Sequence, residues 1–218
     1  MRIIDLHCYP NTQKWIDCQG PYVEALAKYW GRDWQAKTEE EVVADFKEFH
    51  VDALLVALDL STTIQTPPCD NDYVAGMRDR HDCIIQAWGA LEPTRGRVAI
   101  DEARHAINEL NMIGFHFHPI MQHIQVNDQD FYPLWEEISS MGVPVLIDVG
   151  MTGMGAGMPG GLGVKTRNAH PAYVDELAAD FPKLTIIMAH PGSPWIDETT
   201  AVALHKGNVF WEMSGWAP

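Results

Sequence analysis

The sequence predicts an α/β fold, a TIM-type (β/α) barrel with seven strands in this chain and the eighth missing. Three observations predict it. Short, near-continuous apolar runs of strand length recur seven times, the pattern of parallel strands buried on both faces. Helical patterns separate these runs, so strand and helix alternate along the whole chain, as they do when helices cover a parallel sheet. Polar side chains gather at the carboxyl ends of the runs, where a barrel builds its active site.

The elements follow in order. Residues 2–6 (RIIDL) read as the first strand, and the polar and aromatic stretch 14–29 as a loop with a short helix. Thr38, with Glu41 three residues on, forms a capping box that opens a helix running to residue 50. Strands at 51–58, 82–91, 113–118, 144–149, 184–189 and 209–213 follow, with helices at 71–80, 101–110, 130–141, 172–181 and 197–205 between them. There is no internal repeat and no linker, so residues 1–218 read as one domain. An open, doubly wound sheet also fits the alternation, but the early GxGxxG of a dinucleotide binder is absent. The glycine-rich stretch 150–163 (GMTGMGAGMPGGLG) follows the fifth strand. It reads either as a surface loop or as a lid, and its place at a strand end favours the lid.

Composition narrows the function classes. The net charge of −15 gives a field that repels nucleic acid and anionic membranes. A pocket that is locally positive still accepts an anionic small molecule. There is no apolar run of membrane-spanning length and no signal-peptide form at the amino terminus. Cys8, Cys18, Cys69 and Cys83 make no CxxC pair. They read as free thiols in a reducing compartment, so a cytoplasmic location is expected.

Asp5, His7 and Tyr9 close the first strand. His116 and His118 alternate on the fourth and so face one side. Asp148 ends the fifth strand, His190 follows the sixth, and Glu212 lies in the seventh. A single histidine at a strand end is ordinarily a structural hydrogen-bonder. Several at the same ends of successive parallel strands converge on the barrel axis, as a metal or acid–base site requires.

The chain resembles the amidohydrolase superfamily, in particular the amidohydrolase-related group with aminocarboxymuconate-semialdehyde decarboxylase. The resemblance is strongest in residues 171–218, where FP-x-L-x-I-x-x-AH-x-G-x-PW precedes NV-x-x-x-x-SGW. GFHFHP (114–119) and GVPVLIDVG (142–150) match the fourth and fifth strand regions. The resemblance implies a divalent metal, zinc as a rule. The ligands would be an HxH pair after strand one, a histidine on strand five and an aspartate on strand eight, with a further histidine after strand six polarising substrate or water.

The chain departs from that pattern. His7 fills the first HxH position, but Tyr9 replaces the second histidine, and Asp148 stands where the strand-five histidine is expected. Neither an eighth strand nor its aspartate is present. Imidazole and carboxylate are both competent donors, so His7, Asp148 and His190 are the expected metal ligands. A phenol with an ordinary pKa of about 10 is a poor one. The same residues also suit a metal-free site, with Asp148 as general base, His190 as general acid and Tyr9 donating to a developing oxyanion.

Among substrate contacts, His118 aligns with a fourth-strand histidine of the family, although a packed core histidine is the equal alternative. His116 reads equally as a site residue or as a hydrogen-bonded core residue, and Glu212 as a structural group bonding a neighbouring strand end. Lys165 and Arg167, just past the glycine-rich stretch, are expected to clamp a substrate carboxylate, against the commoner reading of solvated charge. Trp195 and Trp216 read as packing residues or as walls of an aromatic pocket.

The expected function is decarboxylation or hydrolysis of a small carboxylated, perhaps aromatic, compound by a homodimer of the kind the family forms. The alternative is a catalytically impaired or truncated barrel acting as a binding or structural subunit. A reading frame continuing past residue 218 into an eighth strand would separate the two.

Overall fold

A computed structural model describes residues 3–215. Seven strands form one parallel sheet in strictly sequential order. They are β1 (Ile3–Cys8), β2 (Val51–Val56), β3 (Ile84–Ala90), β4 (Gly114–Phe117), β5 (Val145–Asp148), β6 (Ile186–Ala189) and β7 (Val209–Trp211). In a flat sheet, six inter-strand steps of roughly 4.8 Å would hold the outer strands about 29 Å apart. Here the His7 ring on β1 lies 3.2 Å from the Glu212 carboxylate, one residue past β7. The sheet is therefore curled as a barrel is. No strand lies between β7 and β1 among the described residues.

The connecting helices are α1 (Gln13–Gln19), α2 (Pro21–Trp30), α3 (Glu39–Glu48), α4 (Asn71–Arg80), α5 (Arg97–Asn108), α6 (Tyr132–Met141), α7 (Pro171–Asp180) and α8 (Ile196–His205). The stretch expected to hold one short helix holds two. Gly20, at φ 49°, ends α1, and Pro21 starts α2 with its backbone preset. The capping box at α3 forms as the spacing predicts, with Thr38 N–H donating to Glu41 (2.8 Å) and Glu41 N–H to Thr38 (3.2 Å). Helix α5 begins four residues before the expected start, because Gly96 rather than a side-chain cap opens it. Strand β7 ends at Trp211, one residue before Glu212, whose N–H still donates to the Met188 carbonyl of β6 at 3.0 Å.

In-and-out alternation sets the layers. On β4, Phe115 and Phe117 face the helices, and the Phe117 ring packs edge-on against Trp135 of α6 at 4.7 Å. His116, between them, faces the barrel axis. Gly114 is required here, since a Cβ would meet the Pro144 carbonyl oxygen at 2.1 Å and push β4 away from β5. No helix among the described residues is long and apolar enough to cross a membrane.

Candidate active site

At the carboxyl ends of the strands Asp148 is the hub. Its carboxylate accepts from His116 Nε2 at 3.1 Å, and His118 Nε2 lies at 3.2 Å. His190 Nε2 is at 3.6 Å and His7 Nε2 at 3.9 Å. Four imidazoles from β1, the end of β4 and the residue after β6 thus surround one buried carboxylate.

Outer contacts fix the rings. His118 Nδ1 accepts from the Met121 N–H at 3.3 Å, so its proton sits on Nε2, toward Asp148. His190 Nδ1 donates to the Ser214 carbonyl at 2.9 Å, and the His190 carbonyl accepts from Trp211 Nε1 at 2.7 Å. His190 itself sits at φ 72°, a left-handed conformation that costs a non-glycine residue of order 1 kcal/mol and is typical of functional positions. The SGW motif has a local reason as well. A Cβ on Gly215, at φ +86°, would lie 2.5 Å from His190 Nδ1.

Electrostatics separate the histidines. Burial alone would raise the Asp148 carboxyl, but the surrounding histidines His118, His116 and His190 hold it well below the usual carboxylate range. Burial pushes His118 down to about 4 and also lowers His116. For His190, burial works against the charge, but Asp148 and the Ser214 carbonyl outweigh it and raise the ring to about 9. His190 is therefore an imidazolium at neutral pH while His116 and His118 are neutral. Burial and the charges of Asp148 and Glu212 raise Tyr9, which stays a neutral phenol.

Across the seam, Glu212 Oε1 accepts from His7 Nδ1 at 3.2 Å. Burial would raise this carboxyl too. Bonds from His7 and from the Ser214 N–H (2.6 Å) and Oγ (2.8 Å) lower it instead, so it is an ionised acceptor. The His7 proton thus lies on Nδ1, and the lone pair on Nε2 faces Asp148. That Nε2 is buried and has no hydrogen-bond partner. This is how a metal-binding imidazole is prepared, one nitrogen tied to an outer carboxylate and the other left bare. Two donor sets lie close enough to share one ion: His7, His116 and Asp148, and His7, His190 and Glu212, each with its ligand atoms within 4.8 Å of one another. These residues fit a divalent cation.

A cavity of about 160 Å³ opens onto the cluster, walled by Tyr9, Trp30, His118, Asp148, Met154 and His190. Met151, Thr152 and Gly153 line it as well, so the glycine-rich stretch covers the site from above. A smaller apolar recess of about 60 Å³ continues past Tyr9 between Trp15 and Trp34. No lysine or arginine is among the described residues lining either space.

The structure brings His7, Tyr9, His118, Asp148 and His190 together. It places Lys165 and Arg167 in a different groove. Trp195 packs against the His170 ring at 4.6 Å, outside the cavity wall, and Trp216 lies outside the described residues. His116, open between core and site in the sequence, and Glu212, read there as structural, also join the cluster. The signal for His116 was present in its two-residue spacing from His118. The contact of Glu212 with His7 depends on β7 meeting β1, which no local pattern encodes.

A sequence model of the amidohydrolase family matches residues 4–218. The chain belongs to the amidohydrolase family. No curated protein sequence matches it. Among solved structures, this amidohydrolase is similar to an uncharacterised TIM-barrel protein from Bordetella bronchiseptica, at 18% identity and a TM-score of 0.70, over 97% of this chain and 74% of that one. It is also similar to a 5-carboxyvanillate decarboxylase from Novosphingobium aromaticivorans complexed with manganese and 4-hydroxy-3-methoxy-5-nitrobenzoic acid, at 16% identity and a TM-score of 0.65, over 94% and 68%. A third is a probable 2-pyrone-4,6-dicarboxylic acid hydrolase from Acinetobacter baumannii with citric acid bound, at 12% identity and a TM-score of 0.61, over 99% and 71%. At these identities the likeness establishes the fold.

Proposed function

We propose that this amidohydrolase is a divalent-metal-dependent enzyme that removes carbon dioxide from a small aromatic carboxylate without oxidation. One observation carries the reading. The buried Nε2 of His7, without a hydrogen-bond partner, faces the ionised Asp148 at 3.9 Å, an arrangement that a cation resolves. His7 and Asp148 would hold the ion, with His116 completing the set. The manganese in the decarboxylase structure and the zinc expected from the sequence are alternative occupants. When bound, the metal supplies positive charge that orients and polarises the substrate's oxygen groups.

The chain's own residues supply the rest. The cavity suits one ring, since an apolar cavity of roughly 150 Å³ holds a benzene, and Tyr9, Trp30 and Met154 offer flat apolar walls. Tyr9 donates a hydrogen bond to a substrate oxygen. His190, charged at neutral pH, delivers its Nε2 proton to the ring carbon that bears the carboxylate. The bond to that carboxylate then breaks, its electron pair returns to the ring, and carbon dioxide leaves. Asp148 steadies the imidazolium before transfer, and solvent restores the proton afterwards.

The test is carbon dioxide release from a panel of hydroxybenzoates by protein loaded with manganese or with zinc. A His190→Asn substitution should lower turnover by about 10²–10⁴-fold, as loss of a general acid does. Turnover of carboxylated lactones without carbon dioxide would replace the reading with hydrolysis. Ring-carboxylate binding with no turnover under either metal would leave the barrel a binding subunit.

A further inference from the structure

On the carboxyl-end face, beside the reaction cavity, lies a separate open groove of about 560 Å³. Its walls come from the segments after β3, β4 and β5. Lys165 and Arg167 stand on its rim, both exposed, in a chain with twice as many acidic as basic residues. Lys14, Lys37, Arg80, Arg95, Arg104 and Lys206 each have a carboxylate partner. Among the described residues Lys165 and Arg167 have none, and neither do Lys28, Arg32, Lys47 and Lys183; Lys165 and Arg167 are the two of these that line this groove. Asn168, next to them, is 3% exposed and lines the same groove. Its side-chain amide has no hydrogen-bond partner among the described residues, which leaves its donors and acceptor available to the groove. His123 adds a fourth polar wall; burial first, and then the charge of Lys165, lower its ring, so it stands there as a neutral imidazole.

We propose that this groove is an oxyanion-binding site, in which Arg167 and Lys165 supply the charge and the buried Asn168 amide supplies a directed donor. The ligand is a small molecule bearing a carboxylate or a phosphoryl group. Arg167 offers the planar fork that suits either, and Lys165 a point charge. Two acids share the groove. The Asp128 carboxylate is occupied by the Asp130 N–H at 3.0 Å, and Asp130 remains on the wall, so the site favours a ligand of low charge over a polyphosphate. The groove is distinct from the reaction cavity, yet the two share a wall. Ala169, adjacent to Asn168, lines the reaction cavity, and its carbonyl accepts from the Gly150 N–H at 2.8 Å.

Calorimetric titration of the full chain without added metal tests this, with succinate and inorganic phosphate as separate probes. Saturable binding of at least one probe is expected. Arg167→Gln and Lys165→Gln should each weaken it roughly tenfold, the loss of one charge-assisted bond. His190→Gln should leave it unchanged, because the groove does not involve that residue. Succinate binding alone assigns a carboxylate ligand, phosphate binding alone a phosphoryl ligand, and binding of both an unselective oxyanion site. The proposal is overturned if neither probe binds, if both groove variants bind as the parent does, or if His190→Gln abolishes binding. Both groove substitutions are at exposed positions and leave the core intact.

Discussion

The two sides of the active-site mouth are held by different forces. On the β4–β5–β6 side, parallel ladders run up to the functional residues: His116 pairs with Leu146, and Asp148 with Ala189. On the β7–β1 side no ladder closes the sheet among the described residues. His7 bonds Glu212, while Trp211 and Ser214, on β7 and just past it, hold His190. A backbone ladder positions a side chain whatever its neighbours are. A side-chain contact positions it only while both partners are present. The cluster should therefore be robust on one side and fragile on the other, and that contrast can be broken experimentally.

The hub shared by both sides should give the largest effect. Asp148→Ala leaves four imidazoles without their carboxylate, in a space where an unmatched charge is costly. The expected loss of stability is about 3–5 kcal/mol, read from chemical denaturation, together with loss of divalent metal binding. A variant that kept parental metal affinity would remove Asp148 from the site.

Glu212→Gln addresses the seam alone. The amide no longer selects the His7 tautomer, so Nε2 is not reserved for a cation. Metal affinity should fall by roughly 10–100-fold, the usual effect of losing an outer carboxylate. A competition titration measures it. Unchanged affinity would mean that the seam is held by something other than this contact.

These two residues also mark what was legible in the sequence. The seven strands followed from near-continuous apolar runs alternating with helical patterns, and the Asp148 and His118 positions from strand-end placement, which are local signals. Tyr9 was legible as a poor ligand from its phenol alone. Glu212 was not legible as a partner of His7, because the two are 205 positions apart and meet only when the sheet curls. Lys165 and Arg167 were read as a clamp on a substrate carboxylate, but the structure puts them on the rim of a groove apart from the reaction cavity. Their direction was not readable, since it depends on the path of a glycine-rich loop that has no periodicity.

The charge on His190 gives the seam a pH dependence above neutrality, whereas the shifts of His118 and Asp148 on the ladder side act at acid pH. The folded-state pKa of His190, about 9, lies above the ordinary 6.5. Its contribution to stability is therefore fully present below pH 6.5 and is lost as pH rises through about 9. Unfolding free energies of the metal-free protein should decline from pH 7 to pH 10, and the decline should flatten in His190→Asn. An identical slope in the variant would assign the titration to another group. If His190 is also the proton donor, turnover should fall over the same window.

The smallest effect should come from the ladder side. Phe117 faces away from the site and packs on Trp135 at 4.7 Å. Phe117→Leu keeps an apolar side chain but loses the edge-on aromatic contact. The expected cost is about 1 kcal/mol of stability. Metal affinity should stay within about twofold of the parent, well under the 1.4 kcal/mol that a tenfold change represents. The reason is that the backbone pairing of residues 115–117 with 145–147, rather than the outward ring, aims His116 and His118. A parallel measurement of unfolding and metal binding decides the matter. If affinity dropped tenfold while stability fell by only the expected amount, packing behind the strand would be what aims these histidines. The two sides of the mouth would then both depend on side chains, and the contrast between them would fail.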